Sequence, residues 1–519
     1  MNGAQSLIRS LVASDVDVCF TNPGTSEMHF VAALDVVPEM RAVLGLFEGV
    51  VTGAADGFAR MSGRPAVALL HLGPGLGNGL ANLHNARRAK TPVVVIVGDH
   101  AQYHRGLQAP LESDITTVAR NVSTWIRTSV APEDIGWDAA EAVAAAAGPP
   151  GQIATLIVPA DVSWGDGGQV AEPVIPAGRA AVGDDIIARI AGVLRSDAPA
   201  MLLLGGAVLA DAGALDAAAR VCAATGARML GEVFPTRLVR GAGVAPLERL
   251  AYFPEVATRQ LEGIGHLVLV DTSAPVAFFA HPGRPSQLTP DGCDVHMLAG
   301  PDEDGPQALR ALADELGAVG RTPVPDAAVA TGQPSGALDA GAVAQMIGAT
   351  LPEGAIVSDE AITSGVPLPA ATMSAPPHDW LTITGGSIGQ GLPVATGAAL
   401  ACPERKVIAL QADGSAMYTL QALWTQAREG LDVTTVIYNN ASYDILEIEL
   451  QRVGVEHAGP RARALYDIGH PRLDFAALAR GMGVPATRAE TAEQFAQQFE
   501  QALAEPGPAL IDAIVLRAG

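Results

Sequence analysis

Short apolar runs, each followed by a turn containing glycine and then by a helical pattern, recur from one end of this chain to the other. Strands of a parallel sheet have this continuous apolar character because helices cover both faces of the sheet. The clearest runs span 66–72, 92–97, 201–204, 266–270, 355–357, 407–410 and 433–438. The sequence therefore predicts an α/β protein built on doubly wound parallel sheets.

Two stretches rich in glycine and proline interrupt this pattern, at 168–178 and 320–336. A chain of 519 residues exceeds what one hydrophobic core usually supports, so separate units are expected. We predict three of them, at 1–168, 180–320 and 337–519. The first and third units both place a Gly-rich turn before a helix, which indicates two related nucleotide-type units flanking a Rossmann-like central unit.

The charge balance narrows the classes of partner. The formal net charge is −23, which opposes binding to nucleic acid or to anionic membranes, since both need clustered Lys and Arg. No stretch of about 18 uninterrupted apolar residues is present. The four cysteines lie far apart and form no C-x-x-C pair, so neither zinc spacing nor a disulfide framework is indicated. We expect a protein of the reducing cytoplasm with a small-molecule substrate.

The segment 407–446 carries the most specific chemistry. A buried strand delivers Asp413 at its carboxyl end, and the next strand along the chain ends at Asn440. The 27 residues between them amount to one strand–helix–strand repeat, so the two side chains should meet at one edge of a parallel sheet. A carboxylate, an amide oxygen and a nearby backbone carbonyl form a hard oxygen site that suits Mg²⁺.

Residues Gly414 and Ser415 open the helix after Asp413, where free N–H groups favour anions. A phosphate charge about 4 Å from the carboxylate would be repelled by roughly 4 kcal/mol at an effective dielectric of 20, and a bridging cation reverses that sign. Read alone, Asp-Gly-Ser is also a plain turn with a helix cap.

This segment resembles the thiamine-diphosphate motif of the pyruvate oxidase, acetolactate synthase and benzoylformate decarboxylase family. The opening Gly-Asp-Gly of the family stands here as Ala412-Asp413-Gly414. The resemblance implies that 337–519 binds the diphosphate and that 1–168 binds the pyrimidine. It also implies two sets of cofactor contacts. The metal ligands are Asp413, Asn440 and the carbonyl of Ser442, and the residues near the diphosphate are Gly414, Ser415 and Tyr443.

The pyrimidine half is indicated by FEGVVTGAADGFAR, which contains Glu48. In the family this glutamate hydrogen-bonds the aminopyrimidine ring and activates the cofactor; without the resemblance, a glutamate at a strand end is usually a solvated surface residue. Two turns resemble the pyrimidine-side loops of the family. They contain Pro23, Gly24 and Thr25 in the first, and Gly73, Pro74, Gly75 and Asn78 in the second.

In the third unit, the Gly-rich stretch holds Gly386, Ser387 and Ile388, where the family places a bulky aliphatic side chain beneath the cofactor. Ile388 is the candidate, although an isoleucine after such a turn is usually core. The family assembles each site from two subunits. The resemblance therefore implies a homodimer at least, and a homotetramer as the expected assembly.

Histidines are the candidates for proton transfer to the substrate, since imidazole titrates near neutrality. His71 stands where benzoylformate decarboxylase resembles this chain and carries a histidine. His281 matches a second decarboxylase histidine after a shift of one residue, and Thr25 completes the candidate catalytic set with Glu48. Other histidines also remain open for this role, namely His84, His100 and His104.

The resulting hypothesis is a thiamine-diphosphate- and Mg²⁺-dependent decarboxylase or carboligase that acts on a 2-oxo acid. Pro110 and Leu111 stand where acetolactate synthases and pyruvate decarboxylases carry other specialised pairs, and they favour an uncharged substrate side chain. One alternative is an authentic acetolactate synthase large subunit, with FAD in the middle unit; no glycine fingerprint there supports a flavin, since 201–216 is only a weak match. The other alternative is a noncatalytic, cofactor-binding regulatory protein.

Overall fold

The computed structural model of the chain describes residues 1–320, 324–326, 334–455 and 457–517. Three sheets of mainly parallel strands organise the described residues, with helices packed against them. The predicted α/β class with three parallel sheets is confirmed. The linker predicted at 168–178 contains neither helix nor strand. The linker predicted at 320–336 lies partly outside the described residues, and the unit boundaries stay a prediction.

The first sheet has the strand order β2-β1-β3-β4-β6-β5, and every neighbouring pair is parallel. Its strands are β1 (Val18–Thr21), β2 (Arg41–Leu44), β3 (Ala66–His71), β4 (Val93–Asp99), β5 (Trp125–Thr128) and β6 (Ile153–Pro159). The helices are α1 (Gly3–Ala13), α2 (Met28–Leu34), α3 (Glu48–Ser62), α4 (Leu72–Arg88), α5 (Ile115–Ala119), α6 (Ile135–Ala147) and α7 (Ala160–Trp164). Short 3-10 turns lie at Thr25–Glu27 and Gln102–His104.

Strand β4 shows why the apolar runs are continuous. Successive side chains of a strand point to opposite faces of the sheet. Val93, Val95 and Val97 pack into the core on one face. Val94 and Ile96 pack into the core on the other face. Both faces are covered, so a polar residue would be buried at any of these positions.

The middle sheet has the order β11-β10-β7-β8 and is also parallel. Its strands are β7 (Ala200–Leu204), β8 (Arg228–Gly231), β10 (His266–Val270) and β11 (Asp294–Ala299), with β9 (Leu238–Arg240) lying between them in the sequence. The helices are α8 (Asp184–Leu194), α9 (Gly206–Leu209), α10 (Ala212–Thr225), α11 (Pro254–Leu261) and α12 (Gly305–Glu315).

The third sheet has the order β16-β17-β15-β14-β12-β13-β9. Its own strands are β12 (Ile356–Glu360), β13 (His378–Thr382), β14 (Val407–Ala412), β15 (Val433–Asn439), β16 (Ala486–Ala489) and β17 (Ala509–Ile514). The helices are α13 (Ala340–Thr350), α14 (Leu368–Ala371), α15 (Gly391–Ala401), α16 (Asp413–Thr419), α17 (Ala422–Glu429), α18 (Asp444–Arg452), α19 (Pro460–Arg463), α20 (Phe475–Gly481) and α21 (Ala492–Ala504). A 3-10 turn spans Ile362–Gly365.

Strand β9 belongs to the middle stretch of the chain but pairs with the third sheet. It runs antiparallel to β13, with His378 opposite Arg240 and Trp380 opposite Leu238. All other pairs of this sheet are parallel. The middle stretch therefore provides one edge of the sheet that carries Asp413.

The first and third units are joined through the helices α3 and α15. A Cβ on Gly57 would lie 2.1 Å from the carbonyl oxygen of Val394, and one on Gly397 would lie 1.9 Å from that of Ala54. The buried pair Asp56 and Arg60 reinforces this contact, since Arg60 also donates to the carbonyl of Thr382 at 2.9 Å. Glycine is required at this crossing because any side chain would separate the helices.

None of the helices in the described ranges is long and apolar enough to cross a membrane.

Candidate active site

Asp413 and Asn440 lie at neighbouring strand ends, as the sequence predicts. Strand β14 ends at Ala412, which is in register with Tyr438 of β15. Asp413 is the first residue of α16 and is 2% exposed. Its Oδ1 accepts from the backbone N–H of Gly414 and its Oδ2 from that of Ala441, both at 2.7 Å. The backbone therefore fixes the carboxylate.

Asn440 is held by a second acid. Its Nδ2 donates to Asp444 Oδ2 at 2.7 Å, and its Oδ1 accepts from the backbone N–H of Ser442 at 2.9 Å. Ala441, which separates Asn440 from Ser442, has φ +59°, a left-handed conformation that is uncommon for alanine. Arg517 donates to the carbonyls of Asn440 and Ala441. The loop is therefore fixed by side chains from two sides.

The electrostatics of this cluster suit a cation. Burial raises the pKa of Asp413 to about 6 against the lowering effect of its backbone hydrogen bonds, and the nearby Asp444 raises it further. The Oγ of Ser442 is buried and has no hydrogen-bond partner. A divalent ion would favour the ionised form of Asp413 and complete the polar contacts of a site made of oxygen donors. These residues therefore fit Mg²⁺.

The turn after Asp413 is closely packed. A Cβ on Gly414 would lie 2.2 Å from the ring of Tyr443. The Tyr443 hydroxyl donates to the Gly414 carbonyl at 3.2 Å. Ser415 Oγ donates to the Ala412 carbonyl and accepts from Gln411 Nε2. The structure thus brings Gly414, Ser415 and Tyr443 together beside Asp413, and their contact with a diphosphate stays a prediction.

The Gly-rich loop that precedes α15 is held from two directions. From the third unit, the buried Glu360 accepts from the N–H groups of Gly389 and Gly391, both at 2.5 Å. Burial raises the pKa of Glu360 to about 7. Asn85 of α4 brackets Ser387 from the first unit, donating to its carbonyl at 2.7 Å and accepting from its N–H at 3.1 Å.

The centre of the same loop contains the predicted cofactor residues Gly386 and Ile388. Gly386 has φ +73°, and a Cβ there would lie 2.5 Å from the ring of Phe278. Ile388 is partly buried in the chain. Its predicted position beneath a cofactor is therefore consistent with its exposure, and stays a prediction.

Glu48 forms the corresponding centre of the first unit. It is the first residue of α3 and is 8% exposed. Its Oε1 accepts from Asn22 Nδ2 at 3.3 Å and its Oε2 from Asn78 Nδ2 at 3.0 Å. The predicted pyrimidine-side segments therefore do converge on Glu48, one through Asn22 beside Pro23 and the other through Asn78. The second segment was predicted as a turn, and that was wrong: its residues form the first turns of α4 (Leu72–Arg88).

His71 is bound to a buried glutamate that the sequence analysis missed. Its Nδ1 lies 2.9 Å from Glu27 Oε2 and 2.9 Å from Ser26 Oγ. Ser26 Oγ donates to Glu27 Oε1 at 2.5 Å, and the N–H of Gly24 donates to Glu27 Oε2 at 2.8 Å. With Glu27 as a carboxylate, which only accepts, Nδ1 of His71 is the donor and Nε2 is the nitrogen left for contact with a ligand.

A cavity of about 280 Å³ opens beside His71. Its wall contains further histidines, aromatic rings and two leucines: Thr25, Ser26, Leu72, Asp99, His100, Ala101, Tyr103, His104, Leu111, Ala160 and Trp164. Thr25, His100, His104 and Leu111 were singled out in the sequence, so the structure brings them together with His71. His84 lies elsewhere, with its Nε2 3.2 Å from the carbonyl oxygen of Gly385.

His281 is not part of this cavity. Its Nε2 lies 3.4 Å from Glu449 Oε2 of α18, and its Nδ1 is buried without a partner. Within one chain, the described hydrogen bonds of Glu48 stay in the first unit and those of Asp413 in the third. A single copy therefore presents the predicted halves of the site without a direct bond between these two carboxylates.

The carboxyl edge of the middle sheet was the expected place for FAD, if a flavin binds. There, the N–H of Gly206 donates to Glu232 Oε1 at 3.0 Å and that of Ala207 to Asp271 Oδ2 at 2.8 Å. Lys90 of the first unit lies 3.3 Å from Asp271 Oδ1. The carboxylates of Glu232 and Asp271 thus already bind the backbone N–H groups that a dinucleotide phosphate would need.

One signal in the sequence could have indicated part of the network around Glu48 and the Gly-rich loop. Asn78, Asn82 and Asn85 are spaced i, i+4, i+7 on α4, so they line one helix face. Asn82 Nδ2 donates to the carbonyls of Gly49 at 2.7 Å and Gly389 at 3.1 Å. Asn82 and Asn85 are buried, whereas Asn78 is exposed, and buried amides are unusual on a helix face that packs on a core. The contacts of the three asparagines reach both the first and the third unit.

Comparisons with known proteins agree at both ends of the chain. Residues 1–119 match the profile of the thiamine pyrophosphate enzyme, N-terminal TPP binding domain. Residues 368–513 match that of the thiamine pyrophosphate enzyme, C-terminal TPP binding domain.

Relatives align over almost the whole length. A protein of Mycobacterium tuberculosis, provisionally named acetolactate synthase large subunit, is 60% identical over 99% of both chains. Benzoylformate decarboxylase of Pseudomonas aeruginosa is 31% identical over 95% of both chains. Among solved structures, the thiamine-diphosphate-dependent 4-hydroxybenzoylformate decarboxylase of Rhodococcus jostii has a TM-score of 0.85 at 26% identity and 99% coverage of both chains.

Proposed function

This chain belongs to the thiamine pyrophosphate enzyme family, and from that premise we propose that it is a Mg²⁺-dependent decarboxylase or carboligase of 2-oxo acids. One observation carries the proposal. The same chain holds a buried Glu48 between two amide donors at one strand end and an Asp413–Asn440 pair at another. These are the two polar centres that a cofactor with a pyrimidine at one end and a diphosphate at the other requires.

The third unit would bind the charged end of the cofactor. Asp413, Asn440 and the carbonyl of Ser442 would hold Mg²⁺, and the turn at Gly414 and Ser415 would receive phosphate oxygens. When bound, thiamine diphosphate supplies a carbon nucleophile and accepts the electron pair released with carbon dioxide. The task of these residues is positioning and charge neutralisation, since none of them needs to exchange a proton.

The first unit would handle protons. Glu48 would exchange a proton with the pyrimidine, and Asn22 and Asn78 orient its carboxyl group. His71, with Nδ1 tied to Glu27, keeps Nε2 for a proton that moves to or from the substrate. Both groups are partly or fully shielded from water, which favours controlled transfer.

Two copies of the chain would form each complete site. Support comes from the ring of Phe278, which lies against Gly386 of the Gly-rich loop and is 40% exposed in a single copy. A homodimer is the minimum active assembly under this proposal, and a homotetramer is the expected one. The four free cysteines support a reducing cytoplasm as its location.

The cavity beside His71 favours an aromatic, uncharged substrate side chain, since Tyr103, Trp164 and Leu111 contribute to its wall. Two of the similar proteins are named for substrates of that kind, as a benzoylformate decarboxylase and a 4-hydroxybenzoylformate decarboxylase. Acetolactate synthesis is the second candidate, because the relative that is 60% identical carries that name. Binding of FAD is disfavoured by Glu232 and Asp271, which bind the phosphate-facing N–H groups.

A substrate panel tests the proposal. The protein is incubated with thiamine diphosphate, Mg²⁺ and aryl, alkyl and acidic 2-oxo acids, and carbon dioxide, aldehyde and acyloin are measured. We expect carbon dioxide release to be fastest with an aryl substrate, and to be lost in Glu48→Gln. Acetolactate from pyruvate as the main product would favour the second candidate. Tight cofactor binding with no turnover of any substrate would instead show a noncatalytic protein and overturn the proposal.

A further inference from the structure

Three metal-binding side chains lie together at the amino-terminal end of the middle sheet. In the parallel register of β10 and β11, His266 stands opposite Asp294, and Val268 stands opposite His296. Because side chains alternate along a strand, His266, Asp294 and His296 all project from the same face. This end of the sheet is opposite the carboxyl edge, where Glu232 and Asp271 lie. The described polar contacts within the cluster do not involve Glu48 or Asp413, so the cluster is separate from the proposed catalytic centre.

The distances between these donors match a small coordination sphere. Nε2 of His296 lies 3.2 Å from Nδ1 of His266, and that Nδ1 lies 3.9 Å from Asp294 Oδ2. All the donor atoms lie within 4.8 Å of one another. Ligands of a tetrahedral Zn²⁺ ion, at Zn–N of about 2.0–2.1 Å, are about 3.3 Å apart. The two imidazoles are therefore already at ligand spacing.

The carboxylate needs only a small movement. Asp294 Oδ2 lies about half an ångström beyond ligand spacing from Nδ1 of His266 and within 4.8 Å of the other donor. Its side chain is 75% exposed, so rotation toward both imidazoles is unhindered by packing. The side chain of His266 is only 18% exposed. The site thus has two ligands fixed by neighbouring strands and one adjustable ligand, with solvent able to supply a fourth.

An ordinary hydrogen bond between the imidazoles is the competing explanation. It accounts for the 3.2 Å contact, and an ion pair at 3.9 Å between Asp294 and a protonated His266 would account for the carboxylate. Only a metal ion would engage all three side chains at once. A neutral imidazole offers a lone pair to a metal ion, and Asp294 offsets the positive charge that Arg189 of α8 brings near the site.

The geometry points to a binding site for a divalent transition-metal ion, best matched by Zn²⁺, formed by His266, Asp294 and His296. Imidazole donors select Zn²⁺, Co²⁺ or Ni²⁺ over Mg²⁺, whereas Asp413 and Asn440 offer only oxygen. The two sites would therefore bind different ions from a mixture. A metal here would link the edge strand β11 to β10 and stabilise the middle unit by mass action.

A cobalt titration tests the site in the complete protein. The full chain, saturated with thiamine diphosphate and excess Mg²⁺ after chelator treatment, is titrated with Co²⁺ and followed by visible absorption and equilibrium dialysis. We expect one equivalent with the intense absorption of a four-coordinate ion, displaced by Zn²⁺. His266→Asn and His296→Gln should each weaken binding by more than the roughly 10- to 100-fold that losing an outer-shell partner costs. Asp294→Asn should weaken it less.

Controls separate this site from other histidines and from misfolding. His470 lies 3.8 Å from Asp467 Oδ2 and offers one imidazole with one carboxylate, so His470→Gln should leave the tight equivalent unchanged. Zn²⁺ should raise the Tm of the wild type and not that of His296→Gln, whose Tm without metal should match the wild type. The inference fails if wild type and both histidine variants bind Co²⁺ with the same stoichiometry and affinity. This readout does not depend on turnover, so it stands apart from the proposed enzyme activity.

Discussion

Glu48 and Asp413 are both buried carboxylates that begin a helix after a parallel strand, yet they are held in opposite ways. Glu48 is contacted by the side-chain amides of Asn22 and Asn78. Asp413 is contacted by the backbone N–H groups of Gly414 and Ala441. Side-chain amides can rotate toward a new partner, while backbone groups at a helix start cannot.

The difference suggests a division of labour between the two units. A group that exchanges protons benefits from partners that can adjust as its charge changes, whereas a metal ligand benefits from a fixed orientation. We therefore expect substitutions around Glu48 to change rate, and substitutions around Asp413 to change cofactor affinity.

Replacing Glu48 should produce the largest effect. Glu48→Gln keeps the shape and one of the two amide contacts, since only its oxygen can accept. It removes the ionisable group, so we expect kcat to fall by about 10²- to 10⁴-fold, the usual value of general acid–base catalysis. Cofactor affinity, measured by calorimetry in the presence of Mg²⁺, should change little. Wild-type kcat in this variant would contradict the role of Glu48, and loss of binding alone would contradict the division of labour.

Replacing Asp413 should act on affinity and on stability. Asp413→Asn should weaken Mg²⁺-dependent cofactor binding about 100-fold, while its kcat at saturation should stay closer to the wild-type value than that of Glu48→Gln.

The same substitution should change how stability depends on pH. Because burial raises the pKa of Asp413 to about 6 in the folded chain, above about 3.9 when unfolded, its stabilising proton is lost as pH rises from about 4 to 6. Without metal, the free energy of unfolding of the wild type should therefore fall by up to about 3 kcal/mol relative to that of the variant between pH 4 and pH 7. Denaturant melts at both pH values measure this relative change, and an unchanged difference between the two proteins would refute it.

Replacing Glu27 probes the proton path on the first-unit side. Glu27→Gln removes the acceptor that fixes the proton on Nδ1 of His71, so a fraction of the protein should hold the other tautomer. We expect kcat to fall about tenfold with KM little changed, and the pH profile of kcat to move. Glu27→Asp, which keeps the charge, should recover part of the rate. A fall in kcat with an unchanged pH profile would indicate a purely structural role.

Replacing Asn78 should have the smallest effect. Asn78 is exposed, so water can take the place of its amide at Glu48, and the net worth of such a hydrogen bond is about 1 kcal/mol. Asn78→Ala should therefore lower kcat only a few-fold, with unchanged Tm. A matched substitution, Asn85→Ala, removes contacts to Ser387 in the third unit and should lower Tm instead.

Much of the fold could be predicted because its signals are local. The run 266–270 became β10 with the same limits, and 433–438 became β15 with one added residue, since continuous apolar runs reflect burial on both faces. Strand β9 was missed, because three residues with an arginine at the end carry no such run. Its pairing with β13 depends on contacts between units, which local patterns do not encode.

The candidate site shows the same limit. The rule that ligands gather at carboxyl ends of strands placed Asp413 and Asn440 together before the structure was known. The rule does not indicate which side chains orient them, so Asp444 and Glu27 were missed. Both act across a turn or between elements, where the partner is chosen by three-dimensional packing. The asparagines of α4 are different, because their i, i+4, i+7 spacing is visible in the sequence and indicates one helix face.

Strand β9 limits how this protein can be truncated. Deleting the middle unit would remove that strand and leave the backbone of β13 unpaired along a sheet border, which invites strand addition between molecules. The two cofactor-binding units would then be prone to aggregate even if each kept its own core. Shortened versions for crystallisation or engineering should retain residues 238–240 or cap that border with a charged residue.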